Sequence, residues 1–440
     1  MSKYFGTDGF RGVAGETLTA VHAYNIGRFL GGFFRSENGG CRAVIGKDTR
    51  LSSYMLEYAL VSGLNASGAD AYIMHVTTTA SVSYITRADG YDFGVMISAS
   101  HNPYTDNGIK LIGSGGEKMD DVLIGELEKY LDRPYDIPFA TGGDIGKTVD
   151  CVSGRNRYIG HLISLSAYSF KGYKIGLDCA DGSAWQIAKS VFDALGARTY
   201  AIGCRPDGKN INQSGAVHTE FLRRLVKDNG LDIGFAFDGD ADRCIACDEK
   251  GGIVDGDGVM YICANALKAA GELSGGNIVA TVMSNGALSA ALAAKGINCE
   301  CTDVGDRFVY KRMRETGASL GGEQSGHIIF SKYGASGDGL VTAIKVMEIV
   351  AESGKTLSAL LRGYNPCPQV LKNVKVKDKS VCESPAFAER IASARRAEGC
   401  SRILVRPSGT EQVIRILAEG ESLSACERCC ERIARYFEDM

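Results

Sequence analysis

Three runs of apolar, mostly β-branched residues each lead into a polar loop and then into a helix-like pattern, and they constrain the fold more than any other feature. They lie at residues 43–48, 174–179 and 277–282. A strand followed by a helix is the building unit of α/β folds, because the helix covers the apolar face of the strand. Repetition at domain-sized intervals predicts three related mixed α/β modules.

A second similarity follows later in the first two modules. DFGVMI at 92–97 runs into a serine-rich loop, and DIGFAF at 232–237 runs into an acidic loop, so that Ser100 matches Asp240. A weaker third example covers residues 318–325. In open α/β sheets, ligands bind beyond the carboxyl ends of the strands. We therefore expect these loops to carry the chemistry and, where the modules face one another, to share a cleft.

The chain of 440 residues is too long for one ordinary core, and its pattern changes after YNPCP at 364–368. A strand at 370–376, a strand-loop-strand around 406–410 and a terminal helix from about Ser424 predict a small α+β domain. The breaks predict four domains: 1–150 with the serine loop, 151–253 with the acidic loop, 254–365 with the third loop, and 366–440.

Charge and composition argue against several classes of protein. Lysine plus arginine number 49 against 52 acidic residues, and a net charge of −3 gives no broad basic field for nucleic acid. The start, MSKYFGTD, has no apolar signal region, and no stretch approaches the roughly 18 apolar residues of a membrane span. We expect a cytoplasmic monomer or homodimer without a nucleic-acid or membrane partner.

The 15 cysteines are scattered along the chain, which predicts reduced thiols that mostly serve as small core residues. Two pairs have metal-like spacing, Cys244 with Cys247 and Cys426 with Cys429. They are far apart in sequence and lack the usual second halves of zinc sites. A zinc site is therefore disfavoured.

SASHNP at 98–103 is a compact polar loop after a buried-type strand, and Lys110 follows ten residues after Ser100. A nucleophilic serine needs an activating partner, and this one has no Gly-x-Ser-x-Gly elbow around it. A nearby cation could supply the activation. For the string alone, the alternative is a turn with capping hydroxyl groups.

DGDADR at 238–243 places three carboxylates at alternate positions. Hard divalent cations take oxygen ligands, and three such side chains on a tight loop can occupy one face of the octahedron that Mg²⁺ prefers. The loop is not an EF-hand, because CIAC follows where further ligands would be required. Three close acids repel one another without a cation, which argues against a plain solvated turn.

Three further strings contain groups that bind phosphate or sugar. RPSGTE at 406–411, with Arg415 after it, supplies the parts of a phosphate cradle but not the ending of a Walker loop. GEQSGH at 322–327 holds a carboxylate, an amide, a hydroxyl and an imidazole between glycines. FGTDGFRG at 5–12 pairs Arg11 with glycines. Each has a plainer alternative, an ordinary turn or a structural histidine.

With these five strings in this order, the chain resembles the α-D-phosphohexomutase superfamily over essentially its whole length. SASHNP, DGDADR, GEQSGH and RPSGTE at domain-sized intervals are far more specific together than any one alone. The resemblance implies an isomerase with an α/β fold: three related mixed α/β modules plus a smaller C-terminal α+β domain, arranged around a central active-site cleft.

The resemblance also implies roles for individual residues. Ser100 is the phosphoserine, and an oxygen of its phosphate completes one Mg²⁺ site per active centre with the carboxylates of Asp238, Asp240 and Asp242. Proton transfer and charge stabilisation fall to Arg11, Lys110 and His327, with His101 beside the serine as a further catalytic candidate. The sugar-binding loop supplies Glu323 and Ser325. The distal phosphate clamp comprises Arg406, Ser408, Gly409, Thr410 and Arg415.

The implied reaction moves a phosphoryl group from Ser100 to a hexosamine monophosphate, giving a 1,6-bisphosphate that turns over and returns its other phosphate. Gln324 and VGDRF at 304–308 resemble the branch that acts on glucosamine phosphates. The branches that act on glucose and mannose phosphates are the alternative. Two strings depart from the family pattern: Gln412 replaces a common proline, and SGAVH at 214–218 replaces a common Cys-Gly-Ser-Thr-His.

Two interpretations from other classes stay open. A metal-dependent phosphatase would use Ser100 as nucleophile and lose the phosphoryl group to water, but a hydrolase needs no second phosphate site such as the Arg406 string. A silent sugar-phosphate-binding protein would not need the intact serine and the three aspartates. Bisphosphate-dependent isomerisation, measured against phosphate release, separates all three.

Overall fold

The computed structural model describes residues 3–6, 8–376, 378–379, 382, 385–407 and 413–438. Ser408, Gly409, Thr410 and Gln412 lie outside these ranges. The chain divides into two compact units, one formed by Met1–Thr281 with Glu300–Leu361 and the other by Val282–Cys299 with Arg362–Met440. Within the described ranges, no helix is both long enough and apolar enough to cross a membrane.

The first sheet has seven strands in the order β1-β2-β6-β5-β3-β4-β7. The strands are β1 (Phe5–Gly6), β2 (Gly9–Val13), β3 (Arg42–Lys47), β4 (Asp70–Val76), β5 (Phe93–Ile97), β6 (Asp106–Gly113) and β7 (Thr148–Asp150). The accompanying helices are α1 (Ala20–Asn38), α2 (Leu51–Ala66), α3 (Thr79–Ala88), α4 (Asp121–Asp132) and α5 (Val152–Ser164).

Strand β3 shows why this sheet has helices on both faces. Side chains alternate between the faces of a strand. Ala43 and Ile45 belong to a core that includes Leu60 of α2, whereas Val44 belongs to a second core that includes Val82 of α3. A strand that is apolar on both faces must be covered on both, so the module is a three-layer α/β/α sandwich.

The second sheet has the order β12-β11-β10-β8-β9 and the third β14-β13-β15-β16. The second contains β8 (Lys174–Asp178), β9 (Arg198–Ile202), β10 (Ile233–Phe237), β11 (Cys244–Asp248) and β12 (Ile253–Val254), with α6 (Ala188–Ala194) and α7 (Glu220–Asn229). The third contains β13 (Asn277–Thr281), β14 (Asn298–Thr302), β15 (Leu320–Gly322) and β16 (Ile328–Phe330). The helices in this part of the chain are α8 (Gly256–Ala269), α9 (Gly286–Ala293), α10 (Asp306–Thr316), α11 (Gly339–Ser353) and α12 (Leu357–Leu360).

One strand pattern occurs in all three of these sheets. Strand β5 pairs in parallel with β3 and antiparallel with β6. Strand β10 pairs in the same way with β8 and β11, and β15 with β13 and β16. The parallel partners β3, β8 and β13 are the three apolar runs from which the repeat was predicted. The prediction of three related mixed α/β modules is therefore confirmed.

The C-terminal residues form a three-stranded antiparallel sheet in the order β17-β19-β18. Its strands are β17 (Gln369–Lys375), β18 (Arg402–Pro407) and β19 (Val413–Glu419), and its helices are α13 (Pro385–Glu398) and α14 (Leu423–Glu438). Phe387, Ile416 and Cys429 share its core. The predicted small α+β fold with a terminal helix is confirmed.

The cysteines follow the expectation of reduced thiols. All 15 are free, and most are buried. Cys244 and Cys247 lie within β11, and Cys426 and Cys429 lie on α14. These residues pack as small apolar side chains, as buried free cysteines usually do.

Asp338 at the start of α11 connects that helix to α5. Its Oδ1 accepts hydrogen bonds from two backbone N–H groups of the first turn at 3.0 Å each, and its Oδ2 accepts one from the Tyr158 hydroxyl at 2.6 Å. The neighbouring N–H of Gly339 donates to the carbonyl of Ala241, in the loop after β10, at 3.0 Å. The hydrogen bond between Tyr158 and Asp338 therefore helps to fix the first turn of α11 beside the loop after β10.

We expect Tyr158→Phe to lower the thermal unfolding temperature more at pH 7 than at pH 5. Burial raises the pKa of Asp338 to about 6, so the carboxyl group is ionised at the higher pH and mostly protonated at the lower. A hydrogen bond to an anion contributes about 1.5–3 kcal/mol, against about 1 kcal/mol for a neutral one. The lost hydroxyl therefore matters more when Asp338 is charged.

The wild-type pH dependence has a definite sign. Because the native state binds the Asp338 proton more tightly than the unfolded chain, the contribution of this group to stability falls as pH rises through about 4 to about 6. Tyr135→Phe, at an exposed ring, is the control. Equal shifts of the Tyr158→Phe unfolding temperature at both pH values would contradict the assignment.

Candidate active site

Ser100 follows β5, and its side chain lies inside the protein rather than on the surface. The residue is buried, and its φ is 52°. Its Oγ donates a hydrogen bond to Asp238 Oδ2 at 2.6 Å and lies 3.3 Å from Nδ1 of His101. The serine loop of the first module and the acidic loop of the second are therefore in direct contact.

The three carboxylates of the acidic loop converge after β10. Asp238, Asp240 and Asp242 are buried, and each offers an oxygen that lies within 4.8 Å of the others. The loop turns through Ala241, whose φ is 57°. Across the described residues, this is the one group of three or more His, Cys, Asp or Glu side chains close enough to hold a metal ion.

The donor set of this loop fits Mg²⁺. Asp240 Oδ1 and Asp242 Oδ1 are buried and make no hydrogen bond within the described part of the chain. Buried charged oxygens that accept no hydrogen bond are unfavourable unless a cation lies close to them. Carboxylate oxygens are also the ligands that this hard cation prefers.

Charge in the site is unevenly balanced. Lys110 Nζ donates to Asp240 Oδ2 at 2.6 Å and to Asp242 Oδ2 at 3.0 Å. Burial by itself lowers the pKa of Lys110, but the charges of Asp240 and Asp242 outweigh it and raise the pKa. Burial raises the pKa of Asp238 to about 7, and the charges of Asp242 and Asp240 add to this effect. A bound cation would lower the Asp238 pKa again.

His327 lies between two carboxylates. Its Nδ1 is 3.8 Å from Asp242 Oδ1, and its Nε2 is 3.5 Å from Asp306 Oδ2. Burial lowers its pKa, but the nearby Asp242 carboxylate and the charge of Asp306 outweigh burial and raise the pKa to about 9. The N–H of Gly337 donates to Nε2 at 2.9 Å, so that a neutral His327 ring would carry its proton on Nδ1. Nδ1 therefore bears a proton that faces Asp242 in both the charged and the neutral state of the ring.

His101 has the opposite electrostatic environment. Burial lowers its pKa, and the cations Arg243 and Arg11 lower it further, to about 3. Its ring is therefore neutral next to Ser100. Arg11 itself, on β2, reaches the serine loop: its Nη1 lies 3.5 Å from the side-chain oxygen of Asn102.

The Glu323 loop joins β15 to β16 and lies beside the same charges. Glu323 Oε1 accepts a hydrogen bond from Gly305 N–H at 3.1 Å. Burial raises the pKa of Glu323, while the cations His327 and Arg243 oppose the shift. Ser325 Oγ is buried without a hydrogen-bond partner among the described residues. The loop thus presents a carboxylate and an unpartnered hydroxyl group near His327.

Four models of one protein family cover most of the chain. The descriptions are phosphoglucomutase/phosphomannomutase alpha/beta/alpha domain I for residues 2–135, domain II for 156–252, domain III for 255–367, and the C-terminal domain for 371–436. A phosphoglucosamine mutase of Lachnospira eligens is 54% identical, with 98% of each chain covered. One of Lachnoclostridium phytofermentans is 52% identical, with 98% of this chain and 97% of the relative covered.

The chain belongs to the α-D-phosphohexomutase superfamily. Within it, the chain is most like the phosphoglucosamine mutases. A solved phosphoglucomutase/phosphomannomutase family protein of Burkholderia thailandensis matches with a TM-score of 0.79 and 26% identity, over 100% of this chain and 98% of that one. An Aspergillus fumigatus N-acetylphosphoglucosamine mutase, solved with GlcNAc-6P and magnesium, shares the fold at a TM-score of 0.69 and 19% identity, over 100% of this chain and 96% of that one.

The phosphohexomutase fold brings most of the predicted site residues into one connected group. Direct contacts link Ser100, His101, Lys110, His327 and the three aspartates. Arg11 contacts Asn102, the residue that follows His101. Glu323 and Ser325 lie two to four residues before His327 in the same loop.

The predicted phosphate clamp lies in the other compact unit. Arg406 on β18 is the direct antiparallel partner of Arg415 on β19. Ser408, Gly409 and Thr410 come between these two strands in the sequence and lie outside the described residues.

Sequence reasoning did not single out several residues of this phosphohexomutase site. Thr79 donates its hydroxyl to Asp240, and Lys118 bonds Asp306 at 2.5 Å. Arg50 and Asn212 each donate a side-chain hydrogen bond to the backbone carbonyl of Ser100. Arg50 carries a weak signal, because it follows β3 at a strand end, where functional groups collect.

Proposed function

We propose that this chain is a phosphoglucosamine mutase that interconverts glucosamine 6-phosphate and glucosamine 1-phosphate through a phosphoserine at Ser100 and a 1,6-bisphosphate intermediate. The observation that carries the proposal is the 2.6 Å hydrogen bond from Ser100 Oγ to Asp238, inside a buried group of three carboxylates. The similarity to phosphoglucosamine mutases at 52–54% identity supports the choice of sugar.

The three aspartates and a phosphate oxygen on Ser100 are proposed to hold one Mg²⁺, which when bound neutralises charge on the transferring phosphoryl group. Lys110 contributes a fixed positive charge beside these carboxylates. Arg11 adds a second cation at the serine loop. Preorganised charge of this kind supplies most of the rate in phosphoryl transfer.

In the transfer step the bond from Ser100 Oγ to phosphorus breaks, and a bond from a sugar hydroxyl oxygen to the same phosphorus forms. The hydroxyl proton must leave to a base, and the serine oxygen must be stabilised as the phosphoryl group departs. The His101 ring is neutral and binds a further proton only weakly, whereas the carboxylates around His327 favour its charged form. The two imidazoles are thus suited to different roles.

Glu323 and Ser325 are assigned to the sugar, and the C-terminal clamp to the phosphate that does not react. Arg406 and Arg415 occupy directly opposed positions on β18 and β19. Guanidinium groups bind phosphate well, and Ser408, Gly409 and Thr410 would add hydroxyl and backbone donors. A clamp of this kind holds the reacting end in line, which is the main task of such an enzyme.

The remaining assignments follow from the same proposal. We assign domain boundaries after residues 150, 253 and 365, a cytoplasmic location and a monomeric or homodimeric state. The ligand set is a phosphorylated hexosamine and its bisphosphate, with no nucleic-acid or membrane partner.

One assay separates this function from that of a metal-dependent phosphatase. The enzyme is charged with a hexose 1,6-bisphosphate and then supplied with glucosamine 6-phosphate and Mg²⁺. A mutase forms the 1-phosphate in many turnovers for each phosphate released, because it must retain its phosphoryl group. Phosphate release that matches or exceeds isomerisation would refute the proposal.

We expect a preference for glucosamine 6-phosphate over glucose 6-phosphate on the order of tenfold in kcat/KM. The two sugars differ by an ammonium against a hydroxyl at C2, and charge-assisted hydrogen bonds contribute roughly 1.5–3 kcal/mol against about 1 kcal/mol for neutral ones. Glu323 can supply the countercharge. Glu323→Gln should therefore reduce the preference more than it lowers turnover of glucose 6-phosphate.

The matched control is Glu249→Gln. Glu249 follows β11, and its half-buried carboxylate accepts a hydrogen bond from Ser358 of α12. The substitution should leave the ratio of the two kcat/KM values unchanged. A wild-type preference for glucose or mannose phosphate would move the chain to a neighbouring branch of the superfamily.

A further inference from the structure

The backbone of Ser100 has a conformation that a serine does not favour by itself. Its φ of 52° lies in the left-handed region, which persists in a non-glycine residue where surrounding contacts fix it. The direction of the Ser100 Oγ depends on this backbone. Whatever holds the backbone therefore also holds the 2.6 Å contact to Asp238.

Arg50 holds the serine loop from its own module. Its side chain is fully buried after β3. Its Nη2 donates to the carbonyl oxygens of Ser100 at 2.8 Å and Asn102 at 2.9 Å. Its Nη1 donates to Asp106 O at 3.0 Å and to Pro103 O. One guanidinium group therefore fixes four carbonyl groups of a single loop.

Asp48 neutralises Arg50 and extends the network to the Ser100 amide. Its Oδ2 accepts from Arg50 Nε and from the Ser98 hydroxyl, at 2.7 Å each. The Ser98 oxygen in turn accepts from the Ser100 N–H at 2.9 Å. Both backbone polar groups of Ser100 are thus held by buried side chains.

Asn212 holds the same loop from the second module. Its Nδ2 donates to Ser100 O at 2.8 Å and to Asn102 O at 3.0 Å, the same two oxygens that Arg50 Nη2 contacts. Asn212 also has a positive φ, of 63°. The carbonyl groups of Ser100 and Asn102, on either side of His101, therefore each accept hydrogen bonds from both Arg50 and Asn212.

The acidic loop is shaped to leave room for this arrangement. A Cβ added at Gly239 would lie 2.5 Å from Ser100 O and 3.1 Å from Asn212 Nδ2. The first contact is with backbone, which cannot move away cheaply. Glycine at this position therefore lets the acidic loop lie close to the Ser100 carbonyl that Arg50 and Asn212 bind.

We propose that Arg50 and Asn212 are positioning residues for phosphoryl transfer and form a carbonyl clamp on Ser100 and Asn102. This inference rests on the proposed role of Ser100 as phosphoryl carrier. The serine accepts and gives a phosphoryl group in every cycle, so its Oγ must return to one position relative to the acidic loop. The clamp fixes that position without touching the sugar.

Arg50→Lys, Asn212→Asp and Asn212→Gly test the clamp. Lysine keeps the charge opposite Asp48 but loses the planar fork. Aspartate keeps the size of Asn212 but has no N–H to donate, and glycine removes the side chain while tolerating the positive φ.

We expect each variant to lower kcat by roughly ten- to hundredfold, since small displacements of reacting groups have effects of this size. The KM for glucosamine 6-phosphate should change by less than about threefold, because the clamp does not touch the sugar. More phosphate should be released per isomerisation.

Two controls make the same chemical changes elsewhere. Arg28 is a buried arginine that donates to Ala66 O at 2.7 Å and to Ser67 Oγ at 3.1 Å, so Arg28→Lys matches Arg50→Lys. Asn65 Nδ2 donates to Thr148 Oγ1 at 2.6 Å, so Asn65→Asp matches Asn212→Asp. The controls should alter the unfolding temperature at most and leave kcat and phosphate release at wild-type values.

The kcat and phosphate release of the clamp variants, compared with their controls, test the inference. Clamp variants that fold and keep the kcat and phosphate release of their controls would overturn the inference. Failure of all three clamp variants to fold would also overturn it, because the residues would then serve folding alone. If the wild-type enzyme isomerises no hexosamine phosphate, the proposed function fails instead. The clamp is then tested by phosphoserine hydrolysis after charging with a bisphosphate. Faster loss of phosphate in the variants supports the clamp, and equal loss overturns it.

Discussion

Ser100→Ala is expected to lower mutase turnover by on the order of 10⁴- to 10⁶-fold while the protein stays folded, because a covalent carrier cannot be replaced by neighbouring groups. The substitution removes the hydrogen bond from Oγ to Asp238 and the longer contact of Oγ with His101 Nδ1. A hydrogen bond to a charged acceptor contributes about 1.5–3 kcal/mol to stability. The stability loss is thus small beside the loss of turnover, and the two effects can be measured separately.

Ser67→Ala is the matched control. Ser67 is a buried serine whose Oγ donates to Arg28 O at 2.9 Å and accepts from Arg28 Nη1 at 3.1 Å. It should lose a similar amount of stability and keep full turnover. Intact-protein mass spectrometry after charging with a bisphosphate should find phosphate on the wild type and on Ser67→Ala but not on Ser100→Ala. Near-normal turnover of Ser100→Ala would remove Ser100 as the phosphoryl carrier.

The position of Ser100 and of the acidic loop at strand ends could be anticipated from the chain alone. Both loops follow a short apolar strand, and the carboxyl ends of parallel strands are where α/β proteins bind ligands. The structure adds that β5 and β10 occupy equivalent places in their sheets, each between a parallel and an antiparallel partner. Local pattern was sufficient to place both loops at strand ends, whereas the contact of Ser100 with Asp238, 138 residues away, depends on tertiary folding.

Arg50 could not be identified in the same way. In the sequence it stands directly before a helix, where a charged residue needs no special explanation. Its hydrogen bonds go to carbonyl groups of Ser100, Asn102 and Asp106, which lie 50, 52 and 56 residues further along the chain. Contacts of that separation depend on tertiary folding, and backbone carbonyl acceptors leave no trace in the identity of the residues that carry them.

The charge states of the histidines were equally out of reach. His101 and His327 have the same side chain, yet the structure lowers the pKa of one to about 3 and raises that of the other to about 9. The first adjoins Arg243 and Arg11, the second Asp242 and Asp306. Burial and neighbouring charge decide these values, and both are properties of the folded chain.

Removal of Mg²⁺, or Asp240→Asn, is expected to have the second-largest effect. Asp240 Oδ2 accepts from Lys110 Nζ and Thr79 Oγ1, whereas Oδ1 is buried without a hydrogen-bond partner in the described residues. Asparagine can keep its carbonyl oxygen towards Lys110 and Thr79 and place its amide nitrogen at the Oδ1 position. The protein should therefore fold, while the free ligand atom becomes an N–H donor that repels a cation.

The expected result is a loss of Mg²⁺ affinity of more than about tenfold, equivalent to more than about 1.4 kcal/mol, with turnover falling in parallel. Direct titration calorimetry with Mg²⁺ measures the affinity independently of catalysis. Asp248→Asn is the matched control, since Asp248 is a buried aspartate that accepts from Lys250 N at 2.9 Å and Gly252 N at 2.7 Å in a turn remote from Ser100. It should bind Mg²⁺ as the wild type does. Full activity in chelator, or unchanged Mg²⁺ affinity in Asp240→Asn, would contradict the metal assignment, because a site built from three carboxylates cannot lose one charged oxygen ligand without weakening.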